Sequence, residues 1–265
     1  MKTVLITGGN RGIGFEICRQ LDSKGFRVIL VARDIEKGLK AAENLSSSVI
    51  VRQLDVTNEE SVEKLFDFIK SEIGHLDILV NNAGLGAVSR QAYSLGIKNS
   101  LRNAFPKAYS AAKKLRPLLK KTGIVSHKEG AQFADLNHSK TIMETNFYGA
   151  WRMIQFAIPL LEKSKDARII NISSGMGELK SLTGAYPEYS LSKTSLNALT
   201  IMFSNELSKV NIKVNAVCPG WVRTDMGGPD APLSVEQGAD TAVWLVSTNV
   251  IESGKFYKNR KIQNW

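Results

Sequence analysis

The sequence predicts an α/β fold, a doubly wound parallel sheet flanked by helices, with a helical insertion after the fourth strand. Three observations predict it. Short β-branched apolar runs alternate with longer stretches that repeat apolar residues at three- and four-residue spacing. A glycine-rich turn follows the first of those runs directly, and one strongly basic window breaks the alternation after Gly84. Strands that are apolar throughout belong to sheets covered by helices on both faces, and right-handed crossovers then put ligands at the carboxyl ends of the strands.

The elements follow in order. The strands are Thr3 to Thr7, Arg27 to Val31, Val49 to Leu54, Ile78 to Val80, Arg168 to Ile172 and Lys213 to Val217, all short and mostly rich in Val, Ile and Leu. Between and after them, helical periodicity covers Ile13 to Lys24, Glu36 to Leu45, Glu59 to Ile73, Lys140 to Leu161, Tyr189 to Lys209 and Val235 to Val246. No Pro- or Ser-rich linker and no internal repeat divides the 265 residues, so a single dinucleotide-binding domain over 1–265 is expected. The first residues enter an apolar strand at once and no apolar run approaches ~18 residues, which predicts a cytoplasmic protein without membrane association. Cys18 and Cys218 are far apart and lack metal-ligand spacing, so neither a disulfide framework nor a metal site is expected.

The formal net charge is +10, and the window from Leu85 to Lys140, with eleven basic and two acidic residues, carries +9 of it. The rest of the chain is nearly neutral. Within the insertion, 85–138, apolar residues from Ile97 to Leu119 recur at helical spacing, interrupted near Pro106 and Pro117. An amphipathic helix or helix pair with a solvated basic face is expected. The readings are a solvated basic face over an apolar face packed on the domain with no further role, a flap at the substrate mouth, or a cover on the long helix that follows. Without interleaved aromatic residues or a known module, the window gives no reason to expect nucleic acid as a partner.

Functional signals begin at the turn Thr7-Gly8-Gly9-Asn10-Arg11-Gly12-Ile13-Gly14. Placed between a strand and a helix, such glycines let backbone N–H groups approach a pyrophosphate at the positive helix terminus. Gly8, Asn10, Arg11, Gly12, Ile13 and Gly14 are therefore cofactor candidates. The second strand ends Ala32-Arg33-Asp34, and Arg33, Arg11 and Lys37 together suit a 2′-phosphate, so NADP(H) is the expected cofactor. The other reading leaves Arg33 and Lys37 as solvated charges and gives the ribose to Asp34. Asp55, with Val56, ends the third strand, where it either meets the adenine or caps the next helix. Tyr189 and Lys193 lie four residues apart on one helix face. A fixed ammonium beside a phenol lowers its pKa and makes it usable as a general acid.

TGGNRGIG, Leu54-Asp55-Val56, Asn81-Asn82-Ala83-Gly84, Ser173-Ser174, Tyr189 with Lys193, and Cys218-Pro219-Gly220 occur in this order over most of the chain. Together they resemble the short-chain dehydrogenase/reductase family, and within it the NADPH-dependent carbonyl reductases. The resemblance implies a Rossmann-like fold and reduction of the carbonyl of an aldehyde, ketone or quinone. It implies that Tyr189 protonates the carbonyl oxygen, that Lys193 lowers its pKa and binds the nicotinamide ribose, and that Ser174 hydrogen-bonds the same oxygen. Asn146 would bend its helix and hold a water linked to Lys193. Asn82, Ala83 and Gly84 would lie by the cofactor, with Asn82 steadying the sheet edge. Pro219, Gly220, Val222 and Thr224 would meet the nicotinamide end.

Met176, Trp221 and Met226 are expected to wall an apolar pocket for a small-molecule carbonyl compound. From Ser174 to Tyr189 is fifteen residues, two more than in many members of the family, which a loop absorbs. A monomer is expected ahead of a homodimer. A catalytically silent NADP-binding protein with a regulatory or interaction role is the alternative to an enzyme. The set of Asn146, Ser174, Tyr189 and Lys193 speaks against it, since a pure binder needs no proton donor.

Overall fold

The computed structural model of the chain describes residues 1–86, 130–249 and 251–265. The amphipathic pattern from Ile97 to Leu119, and with it the expected insertion helix, lies outside the described residues. Among the described residues, eight strands form one sheet in the order β3-β2-β1-β4-β5-β6-β7-β8, parallel except for the last pair. The strands are β1 (Thr3–Thr7), β2 (Arg27–Ala32), β3 (Ile50–Gln53), β4 (Ile78–Asn81), β5 (Ala167–Ile172), β6 (Ile212–Val217), β7 (Phe256–Lys258) and β8 (Lys261–Gln263). The helices are α1 (Gly12–Ser23), α2 (Ile35–Ala42), α3 (Glu59–Glu72), α4 (Leu136–Met143), α5 (Gly149–Leu161), α6 (Pro187–Glu206) and α7 (Val235–Ser247).

The strand runs are apolar throughout because both faces are covered. Leu5, Leu79, Ile169 and Val214 point to one face, where they meet Val62, Leu65 and Ile69 of α3, Met153 and Ala157 of α5, and Leu196 and Phe203 of α6. Their neighbours Val4, Ile6, Val80 and Ile170 point to the other, onto Ile17 and Leu21 of α1 and Ala242 and Val246 of α7. The strand order reverses between β1 and β4, and the turns leaving these two strands open a crevice at their carboxyl ends.

Three features depart from the expected boundaries. The helix expected from Lys140 starts at Leu136, because the Asp135 carboxylate accepts from the backbone N–H of Asn137 (2.9 Å) and His138 (3.4 Å). It then passes through a π-helical turn, Glu144–Tyr148, before α5. The helix expected to begin at Tyr189 begins at Pro187, whose fixed φ suits a first helical position. The hairpin of β7 and β8 was too short to show a strand period. It turns through Asn259 (φ 52°) and Arg260 (φ 60°), and Trp265 stacks on Phe256 with ring centroids 5.6 Å apart. Both cysteines are buried and free. Among the described residues, no helix is long and apolar enough to cross a membrane.

Candidate active site

The crevice begins where β1 runs into α1. Gly8 (φ +65°) and Gly12 (φ +55°) hold left-handed backbone that a side chain would strain. A Cβ on Gly14 would lie 2.3 Å from both the Gly8 carbonyl oxygen and Asn82 Nδ2, so the turn closes only around glycine. Arg11 stands at the N-cap of α1 in extended conformation, no side chain caps the helix, and its first turn holds no acidic residue. The leading N–H groups of α1 therefore lack a side-chain acceptor, and the cradle fits an anionic phosphate. Asn10 and Ile13 are half-buried in the same turn, where Ile13 packs on the apolar core.

Asn82 does more than steady the sheet edge. Its Nδ2 donates to the carbonyls of Thr7 (2.9 Å) and Gly8 (3.1 Å), which ties the glycine turn to the end of β4. Thr7, which the sequence reading passed over, completes the tie: its hydroxyl oxygen accepts from the N–H of Asn82 and of Ala83, each at 2.9 Å. Its only sequence signal was a hydroxyl residue at the strand end before the glycines. Gly84 follows Ala83, half-buried, with a Cβ position 3.3 Å from Asn146 Oδ1 and 3.7 Å from Lys193 Nζ.

At the tip of β2 the expected cluster of three cations is not assembled. Lys37 Nζ pairs with Asp34 at 2.6 Å, and Arg11 Nη1 pairs with Asp225 at 2.7 Å. Each has found the nearest carboxylate. Arg33 alone is exposed and has no partner for its guanidinium among the described residues. Asp34 caps α2 by accepting from the Lys37 N–H at 3.2 Å. Its hydrogen bonds from Lys37 hold its carboxyl below the ordinary value. At the end of β3, Asn58 and not Asp55 caps α3. Asp55 instead accepts from the N–H (3.0 Å) and hydroxyl (2.7 Å) of Thr57. The Val56 side chain is buried under α5, where a Cβ on Gly149 would come within 2.8 Å of it, so that side chain supports the helix and does not line the crevice.

The chemistry-bearing side chains converge beside the crevice. Ser174 leaves the end of β5, and its hydroxyl accepts from the Met176 N–H (3.1 Å) and is hydrogen-bonded to the Tyr189 phenol. Ser173, one residue earlier, faces the other way and is buried with its Oγ 2.5 Å from Asn197 Oδ1. Strand alternation thus separates the two serines. Lys193 is buried, and its Nζ donates to the Ile172 carbonyl at 2.8 Å and stands 5.7 Å from the Tyr189 ring centroid.

The electrostatics differ from the expectation that Lys193 lowers the tyrosine. Burial pushes Tyr189 up to about 12, opposed by its Ser174 hydrogen bond and reinforced by nearby Cys218. Burial alone lowers Lys193 to about 8. The reason is geometric: the ammonium lies toward the ring and spends a proton on a backbone carbonyl.

Asn146 sits in the π-helical turn, 1% exposed. Its Oδ1 accepts from the Leu85 N–H (2.7 Å), and its Nδ2 donates to the Leu85 carbonyl and the Ser192 hydroxyl (both 3.0 Å). The amide thus clamps the chain just after β4.

The loop after β6 closes the other side. Gly220 (φ +82°) would bring a Cβ within 2.5 Å of Leu233, and Val222, after Pro219-Gly220-Trp221, is buried in a bridge to the same residue. Thr224 reaches the cradle, with its methyl 3.3 Å from the Cβ position of Gly12. Trp221 and Met226 are each more than half exposed, and Met176 is half-buried beside Ser174. Leu179, Leu182 and Tyr186, on the loop before Tyr189, also expose apolar surface. The sequence reading passed over them because an exposed apolar residue in a loop has no periodic signature.

A glycine cradle fit for a phosphate at the switch point of a doubly wound sheet, with a half-buried tyrosine and serine and a buried lysine beside it, defines a Rossmann-like α/β protein. Comparison with known proteins narrows this. The short chain dehydrogenase family profile matches residues 2–96 and 87–232. A (+)-neomenthol dehydrogenase of Arabidopsis thaliana is 32% identical, with 98% of this chain and 97% of that protein aligned. Carbonyl reductase (NADPH) 1 of Mus musculus is 30% identical over 98% of this chain and 97% of its own. The structure of salutaridine reductase from Papaver somniferum superposes with a TM-score of 0.76 at 29% identity, covering 97% of this chain and 99% of that one. The chain belongs to the short-chain dehydrogenase family.

Proposed function

We propose that this protein is an NADPH-dependent carbonyl reductase acting on aldehydes, ketones or quinones, with Tyr189 as proton donor. One observation carries the reading: the Tyr189 phenol, hydrogen-bonded to Ser174 and close to Lys193, stands half-buried at the edge of a crevice that begins with an anion-ready glycine cradle. The names of the relatives, a carbonyl reductase and a salutaridine reductase among them, support reduction of a small-molecule carbonyl.

When bound, NADPH supplies the hydride. The protein's own groups do the rest. With its pKa raised, Tyr189 is a neutral phenol at working pH and has a proton to give to the carbonyl oxygen. Ser174 gives that oxygen a second, pre-placed donor as negative charge builds on it. Lys193, still mostly protonated at neutral pH, keeps positive charge close to the forming phenolate. The buried clamp of Asn146 on Leu85 holds the crevice wall against which Lys193 lies. Gly8, Asn10, Gly12, Ile13 and Gly14 would hold the pyrophosphate end, with Arg11 and Arg33 toward the 2′-phosphate and Asp55, Asn82, Ala83, Gly84, Pro219, Gly220, Val222 and Thr224 along the remainder.

The Arg33 guanidinium, without a partner among the described residues and beside an Asp34 already engaged by its helix and Lys37, supports NADPH over NADH. Replacing Arg33 with Ala is expected to weaken NADPH about 10- to 100-fold, the worth of hydrogen bonds to a charged group, while NADH changes little. Steady-state KM values for both cofactors, measured on a panel of quinones, aldehydes, ketones and keto steroids, check this. Equal loss for both cofactors would remove Arg33 from the phosphate site.

The pH dependence follows from Lys193. Its charge is lost as pH rises through about 8, so kcat/KM is expected to fall there, well below the range in which Tyr189 ionises. A pH profile of the wild type beside Lys193→Arg tests it, because arginine stays charged and should remove that limb from whatever activity remains.

One catalytic domain accords with a single sheet that runs from Thr3 to Gln263. A cytoplasmic monomer without nucleic-acid or membrane partners completes the proposal.

A further inference from the structure

We propose that Asp225 tempers the preference for NADPH by competing with the cofactor's 2′-phosphate for Arg11. The inference rests on the NADPH reading above and adds a residue that reading does not use. Three consecutive residues after the Pro219-Gly220 turn touch three parts of the crevice. The Thr224 methyl lies 3.3 Å from the Cβ position of Gly12, Asp225 Oδ2 lies 2.7 Å from Arg11 Nη1, and Met226 Cγ lies 2.4 Å from the Cβ position of Gly86. The loop is thereby drawn across the mouth of the cradle, from the first turn of α1 to the segment after β4. Its middle contact is an ion pair.

That ion pair is built to yield. The Arg11 and Asp225 side chains are 74% and 77% exposed, so water and salt screen their attraction and the bond is worth little. A phosphate monoester carries more charge and offers a guanidinium several oxygens in a geometry it can match with two hydrogen bonds. Between the two acceptors, the phosphate wins Arg11. In NADH the same ribose carbon bears only a hydroxyl, which has no charge with which to displace a carboxylate. Asp225 therefore opposes NADPH by the worth of the surface pair and leaves NADH untouched. It also keeps Arg11 satisfied, and the loop bearing Trp221 and Met226 fastened, until a phosphate arrives.

The test is calorimetric titration of the full chain with NADPH and with NADH, for the wild type, Asp225→Asn and Asp225→Glu. Asp225→Asn is expected to lower the NADPH Kd about 1.5- to 5-fold, the span of an exposed ion pair, and to leave the NADH Kd unchanged. Asp225→Glu keeps the charge and should stay close to the wild type. In an Arg11→Ala background the gain from Asp225→Asn should vanish. Weaker NADPH binding by Asp225→Asn, an equal gain for both cofactors, or a gain that persists without Arg11 each overturn the proposal. A wild type with no preference for NADPH overturns the cofactor reading together with it, whereas a preference that Asp225→Asn leaves untouched overturns the proposal alone.

Discussion

Tyr189→Phe is expected to lower kcat about 10²- to 10⁴-fold on every carbonyl substrate, the range over which a positioned general acid acts. The substitution removes one oxygen and leaves the ring in place, so NADPH binding and the fold should be nearly unchanged. What disappears is the proton donor and the partner of the Ser174 hydroxyl. Ser174 cannot replace it, because a serine hydroxyl is too weak an acid at working pH. Single-turnover oxidation of NADPH beside a cofactor titration separates the two effects. Turnover that survived the substitution on all reducible substrates would remove Tyr189 from the mechanism, and loss of NADPH binding would make it structural.

The second large effect is on stability and comes from a residue far from the proposed chemistry in role. Arg168, in β5, is completely buried, and the sequence reading saw it only as the first residue of a strand. Its Nε and Nη2 donate to the two carboxylate oxygens of Asp166 at 3.1 and 2.6 Å, and Nη1 donates to the Leu245 carbonyl at 2.6 Å, with the Val246 carbonyl at 3.4 Å. Leu245 and Val246 lie in the last turn of α7, where carbonyls have no intrahelical donor and the helix dipole is negative. The guanidinium ties that helix end to the sheet.

Arg168→Ala leaves a cavity, a carboxylate held only by Lys2 and Lys213, and unsatisfied carbonyls, and is expected to cost about 3–5 kcal/mol in urea unfolding. Burial works against the Asp166 charge, but hydrogen bonds from Arg168 and Lys2 outweigh it and hold the carboxyl down to about 2. A depressed carboxylate stabilises above its unfolded pKa, and that contribution is lost as pH falls from the usual aspartate range through about 2. The variant should therefore also show a shallower loss of stability over that acid window. A change below about 1 kcal/mol would show that the helix end is satisfied by other means.

Legibility from the sequence followed the range of the interactions involved. The first six strands and the helices between them could be read because each is written in a local period, and burial on both sheet faces demands apolar residues in most of them. Motifs that depend on backbone conformation were equally readable: glycines at 8, 12 and 14 are required by a turn in which any Cβ would strain or collide. Strands β7 and β8 were not, since three residues carry no period. The role of Asp55 stayed open until Asn58 was seen to cap α3.

By itself, the sequence determined the doubly wound sheet, the glycine cradle, the choice of Tyr189 and Lys193 as neighbours on one helix face, and the family. These are set by spacing along the chain, and spacing is what a sequence records. Tertiary structure alone decided what each charge does. It gave Arg11 to Asp225, Lys37 to Asp34 and Arg168 to the end of α7, left Arg33 without a partner among the described residues, and turned Ser174 toward Tyr189 and Ser173 away. It also reversed the expected titration of Tyr189, because desolvation outweighs an ammonium directed at a backbone carbonyl. The physical reason is common to all of these: pairing and desolvation depend on distances between residues remote in the chain, and only folding sets those distances.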